Sequence, residues 1–269
     1  MLKLNRRTLA GWMLAGLMAL PFTATAGETL QRITDFKVLK VGMSADQPPM
    51  TTLNRRGGVM GYDVDLAQAM AAAMRVQLDI KLIPFGDLLD ALEKGEVDMV
   101  ISNLSITPER AEQAYFAGPY MMSGKSILTT DKVLAEATTS DTFNTGDVRL
   151  AAVKNGTSAT FVTENIPEAT LILVDNTNLG IQKVLNGDAD AMLADLAVCK
   201  LAVLRNLGTG LVTLPEPLTL EPIGIAVSRD DPQLQNLVEK YLDSYAKTGA
   251  LNKLRDKWFE NADWVTELP

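Results

Sequence analysis

A chain of 269 residues with a formal net charge of −8, no histidine and one cysteine excludes several function classes. Chemistry that relies on imidazole is ruled out, no basic stretch marks a nucleic-acid surface, and Cys199 has no partner for an intramolecular disulfide. The fold must rest on core burial alone, which a chain of this length achieves in one or two domains.

At the N-terminus Lys3, Arg6 and Arg7 precede an apolar run from Leu9 to Phe22 that ends at Ala24-Thr25-Ala26. This is the pattern of a secretory signal peptide cleaved after about Ala26. Gly11, Gly16 and Pro21 interrupt the run, which falls short of the ~20 residues of a membrane span. Arg6-Arg7-Thr8-Leu9 leaves a twin-arginine route open beside the general export route. Residues 1–26 hold three positive charges and no acid, so the mature chain carries a net charge of −11. An acidic, soluble, periplasmic protein is expected, with no metal and no cofactor.

Val38 to Met43 reads as the first strand, followed by a proline-containing loop, Ser44 to Met50, at its end. Gly61-Tyr62-Asp63-Val64-Asp65 opens a helix whose Leu66, Ala69, Met70, Ala73 and Met74 recur at helical spacing. Asp63 and Asp65 read as cap and first-turn acids. Leu78, Ile80 and Leu82 alternate as a strand, and Leu88 to Lys94 is a helix stopped by Gly95. Phe85, just past that strand, is placed either over a ligand or in the core. This β-α-β-α-β order implies a parallel sheet.

The most informative stretch is Gly95 to Arg110. Val97, Met99, Val100 and Ile101 form the apolar run of a strand buried on both faces. Ser102, Asn103 and Ser105 put short donors and acceptors at its carboxyl end, Thr107 caps the next helix, and Pro108 suits its first position. Arg110 then falls in a first helical turn, where a cation opposes the helix dipole. Either it pairs with a nearby acid at the surface, or it serves as a fork for one carboxylate at a strand end.

After Tyr115-Phe116 and Pro119-Tyr120 a strand is expected over Ser126 to Thr130. The polar, threonine-rich Asp131 to Asp147 marks the entry to a second domain. There the pattern restarts: strand Leu150 to Val153, polar turn Asn155 to Ser158, helix Ala159 to Asn165, strand Leu171 to Val174, helix Leu179 to Asn186. Gly95-Glu96-Val97-Asp98-Met99 is mirrored 92 positions later by Gly187-Asp188-Ala189-Asp190-Ala191, and eight residues beyond each glycine lie Asn103 and Asp195. Two such sheets face to face make a cleft, with Arg110 on one wall and Asp195 on the other, and a zwitterion bridges them. Asp195 also reads as the cap of a helix from Leu196, in which Cys199 is packed; the two roles are compatible. A strand over Leu211 to Leu214, a stiff connection through Pro215, Pro217 and Pro222, a strand over Ile223 to Ser228 and two amphipathic C-terminal helices complete the chain. The connection is a return to the first domain, so two crossings form a hinge.

Taken in order, Gly61-Tyr62-Asp63-Val64-Asp65-Leu66, Gly95-x-x-Asp98, Ser105-Ile106-Thr107-x-x-Arg110, Phe116-x-x-Pro119-Tyr120 and Gly187-x-x-Asp190-Ala191 form a pattern. From about Val38 to Phe259 the chain resembles the periplasmic amino-acid-binding proteins of ABC importers, solute-binding protein family 3, typified by glutamine- and lysine/arginine/ornithine-binding proteins. The resemblance implies an α/β, two-lobed periplasmic-binding-protein fold of type II, with mostly parallel sheets flanked by helices. Lobe I comprises 27–122 and 223–269, lobe II comprises 127–217, and the hinges lie near 123–126 and 218–222. It further implies that Arg110 clamps a ligand α-carboxylate with Ser105 and Ser158, and that Asp195 receives the α-ammonium. Ser102 and Asn103 hold the head group, Phe85 forms an aromatic wall, and Lys154 lies near the cleft.

Ser44 and Gln47 stand where many relatives have an acid and an aromatic, with Asp46 close by. This implies a polar, not strongly basic ligand and removes one face of the usual aromatic sandwich. The implied function is capture of a free amino acid by a monomer and its delivery to an ABC permease in the inner membrane, with no catalytic residues. The alternatives are a secreted dehydratase-like enzyme using Lys154, Asp195 and Arg110, and a ligand-sensing partner of a chemoreceptor or sensor kinase.

Overall fold

A computed structural model describes residues 27–137, 139–261 and 263–269; the expected signal peptide lies outside the described residues. Among the described residues thirteen strands follow in chain order. The first seven are β1 (Val38–Met43), β2 (Asp46–Gln47), β3 (Thr51–Leu53), β4 (Val59–Met60), β5 (Gln77–Leu82), β6 (Met99–Val100) and β7 (Tyr115–Ser123). They are followed by β8 (Lys125–Thr129), β9 (Arg149–Val153), β10 (Thr170–Val174), β11 (Ala191–Asp195), β12 (Val212–Thr213) and β13 (Glu221–Val227).

Two five-stranded sheets result, ordered β5-β1-β6-β13-β7 and β10-β9-β11-β8-β12, beside a small ribbon of β2, β3 and β4. In each sheet three parallel strands occupy one side, in the order second, first, third. An antiparallel strand flanks them: β13 in the first sheet and β8 in the second. The chain therefore crosses between sheets twice, from Ser123 to Lys125 and from Thr213 to Glu221. This is the two-lobed α/β architecture expected from the motifs.

The internal repeat has a physical basis. Gly95 and Gly187 both adopt left-handed backbone, φ +70° and +74°, and end the helices Leu88–Glu93 and Thr177–Leu185, as glycine does without a Cβ penalty. Three residues on, Asp98 accepts from the Lys40 amide at 2.7 Å and pairs with Arg32. Asp190 accepts from the Arg149 amide at 2.8 Å and pairs with the Arg149 guanidinium. Each acid thus ties the loop before the third parallel strand to the first strand of its own sheet.

One large core packs the first sheet against the helices Tyr62–Met74 and Pro232–Lys247 and the C-terminal aromatics Trp258 and Trp264. The second sheet carries a core on each face, one around Phe143 and Leu150 and one around Met192 and Cys199. Burying each large aliphatic side chain contributes about 1.5–3 kcal/mol. Gly61 is required where it stands: at φ +142°, an added Cβ would lie 2.0 Å from the Met50 carbonyl oxygen.

The expected elements appear with small shifts at their ends. The helix expected from Ala159 to Asn165 starts at Thr157 instead, which brings Thr157 and Ser158 into its opening turn. Among its described residues, the polar stretch after Thr129 holds a short α-helix, Lys132–Ala135, capped by Asp131, and a 3-10 turn, Ser140–Phe143. Asp63 is not a cap: the residue before the helix is Gly61, and no side chain caps there. Instead Asp63 is fully buried, accepting from the Asn103 amide and from the Tyr120 hydroxyl, both at 2.7 Å. Asp65 receives Lys257 and the Trp258 indole, anchoring the C-terminal segment.

Candidate ligand site between the lobes

The strand ends Ser102–Ser105 of the first lobe and Asp195 of the second face one another. Asn103, held at φ +51° with its amide on Asp63, donates its Nδ2 to Asp195 Oδ2 at 2.7 Å and to Gln47 Oε1 at 2.9 Å. The two repeat-equivalent positions therefore meet across the cleft. Asp195 stands at a helix start, yet its side chain makes no capping bond. Its carboxylate turns into the cleft, where Ser123 Oγ donates at 2.9 Å and the Lys125 ammonium lies 2.5 Å from Oδ1.

Lys125 is 4% exposed and lies 3.2 Å from a second acid, Glu221. Glu221 in turn accepts from the hydroxyls of Ser105 at 2.7 Å, Thr157 at 2.9 Å and Thr219 at 3.1 Å. Burial alone would drive the Lys125 ammonium down, but Asp195 and Glu221 outweigh it and hold it above its ordinary value. Burial likewise opposes the charged form of Asp195, yet Lys125 beside it keeps the carboxyl below its usual range.

Arg110 is positioned by the Thr107 cap, whose Oγ1 accepts from the Arg110 amide at 3.2 Å. Its guanidinium donates to the Ser105 carbonyl at 2.9 Å and, across the cleft, to the Asn155 carbonyl at 3.2 Å. It sits 5.7 Å from the centre of the Phe85 ring. Burial lowers it to about 10 while Glu221 and Asp195 pull the other way, so it stays charged at neutral pH. Thr107→Ala is expected to lower stability by about 1 kcal/mol, measured by urea unfolding; an unchanged midpoint would refute the cap's contribution.

A cavity of about 40 Å³ lies between these walls, lined among others by Gln47, Phe85, Asn103, Ser105, Thr157 and Ser158. At ~10–15 Å³ per water it has room for a few waters. Asn103 and Asp195 also border a groove of about 710 Å³ on the hinge side.

Residues 39–261 match the family described as bacterial extracellular solute-binding proteins, family 3. The chain belongs to that family. A probable histidine-binding protein of Neisseria gonorrhoeae is 29% identical, over 83% of each chain. A cyclohexadienyl dehydratase of Pseudomonas aeruginosa is 26% identical, over 86% of each. The crystal structure of an ancestral amino acid-binding protein, described as a precursor of cyclohexadienyl dehydratase, superposes with a TM-score of 0.78 at 32% identity. That match covers 86% of this chain and 99% of the other.

In this solute-binding protein not all residues singled out from the sequence reach the cavity. Phe85, Asn103, Ser105, Ser158, Gln47 and Asp195 line it, and Arg110 lies beside Phe85 and Ser105. Ser102 and Ser44 are turned to each other instead, with the Ser44 amide donating to Ser102 Oγ at 3.0 Å and the two hydroxyls 3.2 Å apart. Lys154 is not among the cavity's lining residues: its ammonium lies 3.0 Å from Asp175, while its backbone stands at the rim of the cleft beside Gly86 of the other lobe. Asp46 reaches across to the other lobe, where its carboxylate accepts from the Thr177 amide at 3.1 Å. Lys125, Glu221 and Thr157 were missed from the sequence; a lysine opening an apolar strand directly after a glycine was the available signal.

Proposed function

We propose that this family 3 protein captures an amino acid, or an acid with an amino-acid carbon skeleton, in the interlobe cleft and delivers it to an ABC permease. It works in the periplasm as a monomer that bends about residues 123–126 and 218–222, moving 127–217 against 27–122 and 223–269. The carrying observation is the placement of opposite charges on the two walls, with Asp195 of the second lobe lining the cavity and Arg110 of the first lobe held beside its lining residues Phe85 and Ser105. Arginine-binding proteins among the relatives, such as ABC transporter arginine-binding protein 1 of Escherichia coli, support the solute class.

The experiment is a thermal-shift panel of the common amino acids and their 2-oxo acid counterparts. A ligand that binds only the folded state adds about 2.7 kcal/mol at a hundredfold excess over Kd. At least one clear shift is expected, and Arg110→Ala is expected to abolish it, because a buried charged anchor is lost. A flat panel would overturn the reading.

The buried Lys125–Asp195 pair, together with the dehydratase relative, favours one second reading, an enzyme acting on cyclohexadienyl acids. Turnover of such an acid, followed by absorbance, would establish it, and its absence would leave capture standing.

A further inference from the structure

The cleft contains more charge than the anchoring of one zwitterion requires. The Lys125 ammonium occupies Oδ1 of Asp195, and Asn103 and Ser123 occupy Oδ2. Three of the roughly four acceptor positions of that carboxylate are therefore in use. At the other end, the hydroxyls of Ser105 and Thr157 are turned to the carboxylate of Glu221. The protein itself supplies an ammonium where a ligand's α-ammonium would sit. Together with Arg110, the two cations balance the two acids.

A zwitterion docking its carboxylate on Arg110 would bring its ammonium against Lys125. It would have either to displace Lys125 from Asp195 or to tolerate a like charge at close range in a water-poor site, where such repulsion is strong. An acid with an oxygen at the same carbon meets neither obstacle. Of the three N–H donors of Lys125, two are directed at Asp195 and Glu221. The third remains to donate to a carbonyl or hydroxyl oxygen.

We infer that Lys125 is a selectivity-determining residue that tunes this cleft to 2-oxo or 2-hydroxy acids with amino-acid carbon skeletons, and against the corresponding α-amino acids. The inference rests on the reading of the cleft as the site for solutes of this skeleton.

The test uses matched pairs: glutamate with 2-oxoglutarate, leucine with 4-methyl-2-oxopentanoate, phenylalanine with phenylpyruvate and arginine with 5-guanidino-2-oxopentanoate. Each is titrated calorimetrically into the mature protein and into Lys125→Gln, which keeps a hydrogen-bond donor and loses the charge. A double variant, Lys125→Gln with Glu221→Gln, removes one charge of each sign and serves if the single variant folds poorly by circular dichroism. For the pair that binds, the oxygen acid is expected to bind at least tenfold more tightly in the native protein, and the order is expected to reverse in the variants. A native preference for the amino acid, or a ratio unmoved by the substitutions, would overturn the inference and leave solute capture standing. If neither member of any pair binds, the reading of the cleft falls and this inference with it.

Discussion

Asp195→Ala is expected to lower the unfolding free energy by about 3–5 kcal/mol, the range for stripping one partner from a buried ion pair. The cost arises mainly from what stays behind. Lys125 is only 4% exposed, and without Asp195 its ammonium keeps a single acid, Glu221, at 3.2 Å. Ser123 Oγ also loses its acceptor, and Asn103 Nδ2 loses one of its two. Glu221 retains part of the compensation, which places the expectation toward the lower end of the range. Asp195→Asn keeps an acceptor and is expected to cost less. Combining Asp195→Ala with Lys125→Met removes the stranded charge, so the double variant is expected to be markedly more stable than the sum of the single effects. Urea unfolding at neutral pH measures all three. A single variant within 1 kcal/mol of the native protein would show that the pair contributes little. Because the Asp195 carboxyl is held below its usual range, its contribution is present at neutral pH and is lost as pH falls through the folded value.

The fold was legible because its signals are local and occur twice. A glycine forced into left-handed backbone, an acid three residues later and an apolar strand after that mark the same structural unit at Gly95 and at Gly187. Counting from them placed Asn103 and Asp195 at equivalent strand ends, and these two side chains touch. The charged floor of the cleft was not legible for a different reason. Lys125 and Asp195 face each other because β8 and β11 run antiparallel with those residues in register, a pairing between strands far apart in the chain. Glu221 enters by the return crossing. A lysine at a strand start reads as a surface residue until the register is known. Lys154 stands one residue beyond β9 at the rim of the cleft, where its ammonium pairs with Asp175. Asp63 had a sufficient local explanation as a helix cap, which hid its long-range partners.

That hidden carboxylate carries the second large expected effect, a pH dependence of stability. Burial pushes Asp63 from 3.8 up to about 7, although the Tyr120 hydroxyl and the Asn103 amide both favour its charged form. The folded protein therefore holds a proton there that the unfolded chain releases above about pH 4. With the folded value raised, the stabilising contribution is complete below the unfolded value, declines as pH rises from about 4 to about 7, and is level above that. That difference corresponds to on the order of 4 kcal/mol. Other buried acids titrate as well, so the informative quantity is the difference between the native protein and Asp63→Asn, which fills the same space without a proton to exchange. Relative to that variant, the native protein is expected to lose stability between pH 4.5 and pH 7 by urea unfolding. A difference independent of pH would refute it. The variant's amide oxygen can still accept from the Asn103 amide and hold that residue in its left-handed turn, so ligand binding at pH 8 is expected to survive the substitution even where the pH dependence does not.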